Sequence, residues 1–230
     1  MSRLVIVRHG EASWHSEDYD QLTERGHEQA RVVGAELVAR GIEPEFVVSG
    51  TLRRHRETTV GLLAGAGWTD TPLGQVHEDE RWNELDADDI VRVHMPEHET
   101  MTAALAAHSG DGATGRFQEI FGAVMQAWLT GDGSHQESFE QFTKRVHDAL
   151  DAVLERLSAM GTAVVVTSGG VQNSIATQIL GGGPETWMRL FGMFPNTGLV
   201  RIAHSKRGLR LLSLGEISHL DRRPELLSDF

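Results

Sequence analysis

The chain contains no cysteine in its 230 residues, so disulfides, thiolate metal sites and a cysteine nucleophile are excluded. No apolar run approaches the ~20 residues that a helix needs to cross a bilayer. At the start, MSRLVIVRHG has four consecutive apolar residues before a charge, too few for the core of a secretory signal. The expected location is therefore cytoplasmic. Basic residues are outnumbered, 21 against 33 acidic ones, for a formal net charge of −12. A surface of that sign repels nucleic acid and anionic membranes, and neither is an expected partner. Any anion-binding site has to be built locally. Internal repeats and low-complexity tracts are missing too. What remains is an ordinary globular composition, 40% hydrophobic and 23% charged, in a chain long enough to bury a sizeable core.

Short apolar runs alternate with helical periodicity. RLVIV (3–7), EFVVS (45–49) and AVVV (163–166) have the pattern of strands buried on both faces. TERGHEQARVVGAELVARG places Ala30, Val33, Leu37 and Val38 on one helical stripe, with Gly41 as its stop. RRHRETTVGLLAGAG reads as a second helix ending in glycines. GLVRIAH (198–204) and GLRLLSL (208–214) are two further strands around the turn residues SKRG. Together these segments predict a single α/β domain over 1–230, a three-layer sandwich with a mostly parallel central sheet and helices on both faces. From about 97 to 160 the texture becomes helical, in HETMTAALAAH, RFQEIFGAVMQAWL and SFEQFTKRVHDALDAVLERLSAM, joined by glycine-rich SGDGATG and TGDGSHQ. Ser138 ahead of Phe139, Phe142 and Val146 is a helix start signal. This stretch reads as a helical insertion that returns to the sheet through its last helix.

Ligands of open α/β sheets sit beyond the carboxyl ends of the strands, so the residues that follow each strand come next. After the first are Arg8, His9 and Gly10. After the second are Ser49 and LRRHRE, with three arginines and a histidine in six positions. After the third are Ser168, Gly169 and Gly170. Singly, each has a plain structural use, as a hydrogen-bonded histidine, a solvated helix face or a helix cap. Jointly, paired guanidinium donors, a hydroxyl and glycine backbone at one rim suit an anion, and a phosphate above all.

These residues resemble a known family. VRHGEA (7–12) is similar to the signature of the histidine phosphatase superfamily, the phosphoglycerate mutase-like proteins. LTERGHEQA (22–30) resembles that family's LTxxGxxQA helix start. VVSGTLRRHRETT (47–59) resembles its SxLxRAxxTA segment and puts the phosphate-binding arginine at Arg54. RWNELD (81–86) resembles the stretch with the acidic proton donor, which falls on Glu84. The likeness extends to NTGLV (196–200) and HL (219–220). It implies phosphoryl transfer by double displacement on a small phosphorylated substrate, most simply by a phosphomonoesterase. His9 is the implied nucleophile and carrier of a phosphohistidine. Arg8 and Arg54 neutralise the equatorial oxygens. Glu84 serves as acid and then base, a role that calls for a raised pKa. No cofactor or metal enters this scheme.

One position departs from the family. Its last motif places a second catalytic histidine after the strand, where this chain has Ser168. A hydroxyl still donates one hydrogen bond to phosphate, so Ser168 and the Gly169 backbone are expected phosphate ligands, but it carries no positive charge. Losing one preorganised donor typically costs roughly a hundred- to thousand-fold in rate. Three readings follow: a working phosphatase with a neutral ligand at this position, a slowed one, and a non-catalytic phospho-ligand binder; Ser168→His is expected to raise the turnover of a slowed enzyme. Against a serine hydrolase with Ser168 as nucleophile stand Val166, where the first glycine of a nucleophile elbow belongs, and the order of His204, His219 and Asp221. Against a mutase stands the lack of a further basic cluster, since Lys144 and Arg145 read as an exposed helix face. His15 reads as a loop histidine, with phosphate contact as its alternative. His94 with His98, around Pro96, and HEDE (77–80) read as surface rather than metal ligands. Trp82, Trp128 and Trp187 read as core.

Overall fold

The computed structural model describes residues 1–13, 20–70, 76–107, 122–131 and 133–229, with backbone only at 105 and 106. The apolar runs become the strands β1 (Ser2–Arg8), β2 (Phe46–Ser49), β3 (His77–Glu78), β4 (Thr162–Thr167), β5 (Leu199–Ser205) and β6 (Gly208–Glu216). They form one sheet in the order β3-β2-β4-β1-β5-β6. The first four run parallel, whereas β5 pairs antiparallel with β1 and β6 antiparallel with β5. The sheet is therefore mixed. Register sets Val7 and Ser49 opposite Val166, and Arg8 opposite Thr167. The carboxyl ends of β1, β2 and β4 thus share one rim.

In chain order the helices are α1 (Glu24–Ala39), α2 (Arg53–Ala66), α3 (Ala87–His94), α4 (Met101–Ala107), α5 over 122–129, α6 (Phe139–Arg156), α7 (Gly169–Ile179) and α8 (Pro184–Leu190). The chain moves outward from β1 to β2 to β3 and then returns to β4. Right-handed crossovers taken in opposite directions put their helices on opposite faces. On one face Val5, Val7, Val47, Val164, Val166 and Leu199 form a core with Val33, Leu37, Leu62 and Leu63 of α1 and α2. The alternate residues Leu4, Ile6, Ala163, Val165, Val200 and Ile202 are equally buried, which is the signature of strands covered on both sides.

Helix α1 begins where the Thr23 hydroxyl accepts the Gly26 N–H at 3.0 Å, and it ends before Gly41, whose φ of 66° favours glycine. Ala30, Val33 and Leu37 are buried as expected, but Val38 is 46% exposed. The buried stripe runs instead through Gly26 and Gly34, and Val38 falls to its edge. Glycine is needed there because α1 and α2 nearly touch backbone to backbone. A Cβ on Gly34 would lie 2.1 Å from the Leu62 carbonyl oxygen, and one on Gly65 would lie 2.0 Å from that of Arg31.

By contacts the chain divides into one unit of Met1–Glu84 with Val146–Phe230 and a second of Leu85–Arg145. In the second, Ser138 caps α6 reciprocally with Gln141: its hydroxyl accepts the Gln141 N–H at 3.2 Å, and the Gln141 carboxamide accepts the Ser138 N–H at 2.8 Å. Helix α3 has no counterpart among the sequence expectations. Asp86 caps it by accepting the Asp89 N–H at 2.9 Å, and Ile90 and Val91 are its buried residues. SGDGATG and RFQEIF lie outside the described residues. No described helix is long and apolar enough to cross a membrane.

The α1–α2 contact makes a direct prediction. Gly34→Ala pushes a methyl into backbone that has no rotamer to yield, so it should lower unfolding stability by about 1–3 kcal/mol or more. Gly183→Ala, where nothing lies within 4 Å and only an N-cap preference is lost, should cost no more than about 1 kcal/mol. Urea denaturation of the two variants side by side tests the contrast.

Candidate active site

The rim is organised by the turn after β1. The His9 N–H donates to the Thr167 carbonyl at 2.8 Å, and the His9 carbonyl accepts from the Thr197 N–H and from Asn196 Nδ2, each at 3.2 Å. The Gly10 N–H donates to Thr58 Oγ1 at 2.9 Å, and the Glu11 N–H to Gln29 Oε1 at 2.8 Å. Gly10 also packs backbone to backbone on α1, since a Cβ there would lie 2.4 Å from the Gly26 carbonyl oxygen. One turn is thereby tied to β4, α1, α2 and the loop before β5.

The tautomer of His9 follows from this geometry. Its Nδ1 lies 2.7 Å from the Gly10 carbonyl, and a carbonyl can only accept. The proton therefore sits on Nδ1 and the lone pair on Nε2. His9 is buried, and burial, reinforced by the positive charges of Arg54 and Arg8, holds its pKa well below the ordinary 6.5. It is a neutral imidazole with its lone pair on Nε2.

The cluster LRRHRE splits by helical phase. Arg53 and Arg56 face solvent and pair with Glu57 and Glu78, each at 2.6 Å, while Arg54 and His55 turn inward and are buried. Arg54 meets the carboxylate of Asp20 at 2.5 Å. The same carboxylate accepts the Arg53 N–H at 2.6 Å, so Asp20 caps α2 where Leu52 offers no side-chain cap. Arg8 donates to the Phe194 carbonyl and, at 3.0 Å, to that of Asp229. Its Nε flanks Gly169, 3.5 Å from where a Cβ would stand.

Ser168 is the N-cap residue of α7, yet its side chain caps nothing. Its Oγ lies 2.6 Å from Nε2 of His55 instead. Glu84 takes over at the helix end, accepting the Gly170 N–H at 3.0 Å, where a carboxylate is favoured by the helix dipole. It is delivered there by two neighbours. The Trp82 carbonyl accepts from the Thr167 hydroxyl, and the Asn83 carboxamide accepts the Thr51 N–H at 2.7 Å. Arg8, His9, Arg54, Glu84, Ser168 and Gly169 thus converge on one rim of one unit. The inward-facing His55 and the Asp20 carboxylate were not anticipated. The signal for His55 was its place in the RRHRE segment, directly after Arg54, where the family pattern has alanine.

Thr197 holds the far side of the turn at φ 55°, a strained conformation for a β-branched residue. Its hydroxyl lies 3.1 Å from Nε2 of the buried His219. Burial, with the charge of Arg40 nearby, lowers the His219 pKa from 6.5 to about 4. His15 lies outside the described residues. His94 is not a solvated side chain: it is half-buried and its Nε2 lies 3.1 Å from Nε2 of His135. Helix α3 ends at His94, before Pro96. His98 is likewise only 14% exposed. Within HEDE, His77, Glu78 and Glu80 are exposed. Trp82, Trp128 and Trp187 are fully buried core residues. Arg145 is half-buried against Glu137 and the Phe142 ring, while Lys144 is exposed.

The family model of the histidine phosphatase superfamily (branch 1) matches residues 4–217. A 2,3-bisphosphoglycerate-dependent phosphoglycerate mutase from Mesorhizobium japonicum is 35% identical over 98 residues, covering 39% of this chain and 46% of that protein. The chain thus spans less than half the length of the first such mutases that it matches. A probable phosphoglycerate mutase GpmB from Cronobacter sakazakii is 27% identical over 234 aligned positions, covering 96% of each chain. Among solved structures, a mutant phosphoserine phosphatase from Entamoeba histolytica in complex with phosphoserine superposes with a TM-score of 0.67 at 19% identity, over 96% of this chain and all of that one. This last likeness is one of fold.

The buried histidines make stability depend on pH. His9, His55 and His219 resist protonation when folded but titrate near 6.5 when unfolded. Below that pH the unfolded chain binds the extra protons, so stability falls on acidification, and for His219 the loss spans pH 6.5 to about 4. His219→Asn should remove up to one proton, or about 1.4 kcal/mol per pH unit, from that slope. Urea midpoints at a series of pH values for both proteins measure it.

Proposed function

The chain belongs to the histidine phosphatase superfamily, and on that premise we propose that it is a phosphomonoesterase working through a phosphohistidine on His9. The tautomer of His9 carries this reading: Nδ1–H is held by the Gly10 carbonyl, leaving Nε2 to attack phosphorus in line with the leaving oxygen. Arg54 and Arg8 neutralise the charge on the non-bridging oxygens. Asp20 pairs with Arg54, and an incoming phosphoryl group competes with that carboxylate for the guanidinium. The Gly169 backbone beside Arg8 adds a donor at the end of α7. Glu84 passes a proton to the leaving alcohol oxygen as the P–O bond breaks and the N–P bond forms. In the second half it takes a proton from the water that attacks the phosphohistidine, which releases phosphate and restores His9.

Small phosphomonoesters are the substrate class we assign, a class that includes the phosphoserine held by the Entamoeba structure. A non-catalytic phospho-ligand binder is the second reading, favoured by the serine at position 168. One assay separates the two. The wild type should turn over a generic aryl phosphate, and His9→Ala should lower kcat by about 10³-fold or more. Glu84→Gln should lower it by about 10²- to 10⁴-fold. A wild type that binds inorganic phosphate without any turnover would establish the binder instead.

A further inference from the structure

The scheme above leaves two buried groups without a part, His55 and the Ser168 hydroxyl. Each is wholly closed to water, and they face one another, Nε2 to Oγ, at 2.6 Å. The His55 ring stands beside that of His9, with centroids 5.8 Å apart and planes tilted by 38°. Room for it exists only because residue 50 is glycine, since a Cβ there would lie 2.1 Å from His55 Nδ1. Burying an imidazole next to Arg54 is costly, and both effects hold its pKa well below 6.5. A site that needed nothing at this place would fill it with an aliphatic side chain. Ser168 adjoins Thr167, the residue whose carbonyl binds the His9 N–H, so the pair sits at the phosphoryl-transfer rim.

We propose that His55 and Ser168 act as one unit, a hydroxyl–imidazole relay that takes the place of a second imidazole at the end of β4, with His55 as the positioning residue. The inference rests on the phosphatase reading above. A serine hydroxyl has one hydrogen. Given to Nε2, that hydrogen leaves Oγ with nothing to offer an anion. When Nε2 carries the proton and donates to Oγ, the hydroxyl hydrogen is released toward a phosphoryl oxygen. The other ring nitrogen, Nδ1, lies beside the Asn83 carboxamide, and the tautomer with its proton on Nε2 turns the Nδ1 lone pair toward that group. No covalent bond changes in the relay. Protons keep their atoms, and the hydroxyl rotates from one acceptor to another. The relay also reverses the expectation for Ser168→His, because His55 already occupies the space that a new imidazole would enter.

Hydrolysis of an aryl phosphate by single and paired variants tests the relay. His55→Ala should lower kcat by about 10- to 100-fold while KM stays within about threefold, as expected for loss of a donor that acts mainly on the transition state. Ser168→Ala should cost about the same, and the His55→Ala/Ser168→Ala pair no more than either alone, because both remove one relay. His55→Gln, which keeps an N–H donor, should recover part of the loss. Ser168→His should fall below the wild type, whereas His55→Ala/Ser168→His should exceed both of its single parents. The relay is overturned if His55→Ala keeps kcat within twofold, if the two alanine losses multiply, or if the exchanged pair is no better than its parents. Should His55→Ala fail to fold by thermal melting, Ser168→Ala and His55→Gln carry the same comparison. A wild type without turnover overturns the phosphatase reading and the relay together; turnover with an indifferent His55→Ala overturns the relay alone.

Discussion

The site depends on the hydrogen bonds that fix the turn from His9 to Glu11. Three consecutive N–H groups leave β1, and each has a partner from a different element: the Thr167 carbonyl, the Thr58 hydroxyl and the Gln29 carboxamide. The His9 carbonyl is satisfied by Asn196 and Thr197. Buried backbone groups without partners are costly, so these bonds act as position markers. They explain why threonine, glutamine and an Asn-Thr pair recur in motifs far from His9 in sequence. Those side chains bind the backbone of the turn and so set where the imidazole stands. The strain at Thr197 has the same origin, since its left-handed backbone brings its N–H onto the His9 carbonyl.

A second constraint is electrostatic. A chain with a net charge of −12 gathers Arg8 and Arg54 next to a buried histidine. In water that proximity would matter little, but in a closed pocket the two charges and the loss of solvent reinforce one another in keeping His9 neutral. The same field favours an anion there. Asp20 on Arg54 and Glu84 on the Gly170 N–H supply the partners that the positive groups would otherwise lack. The two carboxylates are not equivalent: one pairs with a buried guanidinium, whereas the other accepts a backbone N–H at a helix end.

Much of the fold was legible because parallel strands must be apolar on both faces, so LVIV, FVV and AVVV stood out without any partner. The convergence of Arg8, Arg54 and Ser168 was legible for a related reason: strand ends in such a sheet share a rim. Val38 misled because the helical stripe was drawn from apolar residues alone, whereas the close contact of α1 with α2 selects Gly34, which has no side chain to signal it. Helix α3 was missed because it is short and its cap, Asp86, lies among other carboxylates. His55 was missed for a deeper reason. The run RRHRE looks uniform as text, and only the ~100° rotation per residue of a helix sends Arg54 and His55 inward while Arg53 and Arg56 go out.

That rotation bears on how a site can lose a residue without losing its group. Position 168 lies on a turn after β4 and position 55 on α2, 113 residues apart in the chain, so no local comparison of motifs connects them. In space they compete for one volume. An imidazole can reach it from either backbone, provided that the other position is small and glycine at 50 leaves the ring room. A serine at 168 taken by itself subtracts a donor from the site. With His55 packed against it, the same serine becomes the tip of a longer donor whose imidazole has moved to another helix. The quantity under constraint at this rim is then the hydrogen-bonding group offered beside His9, and which strand or helix supplies it is open to exchange.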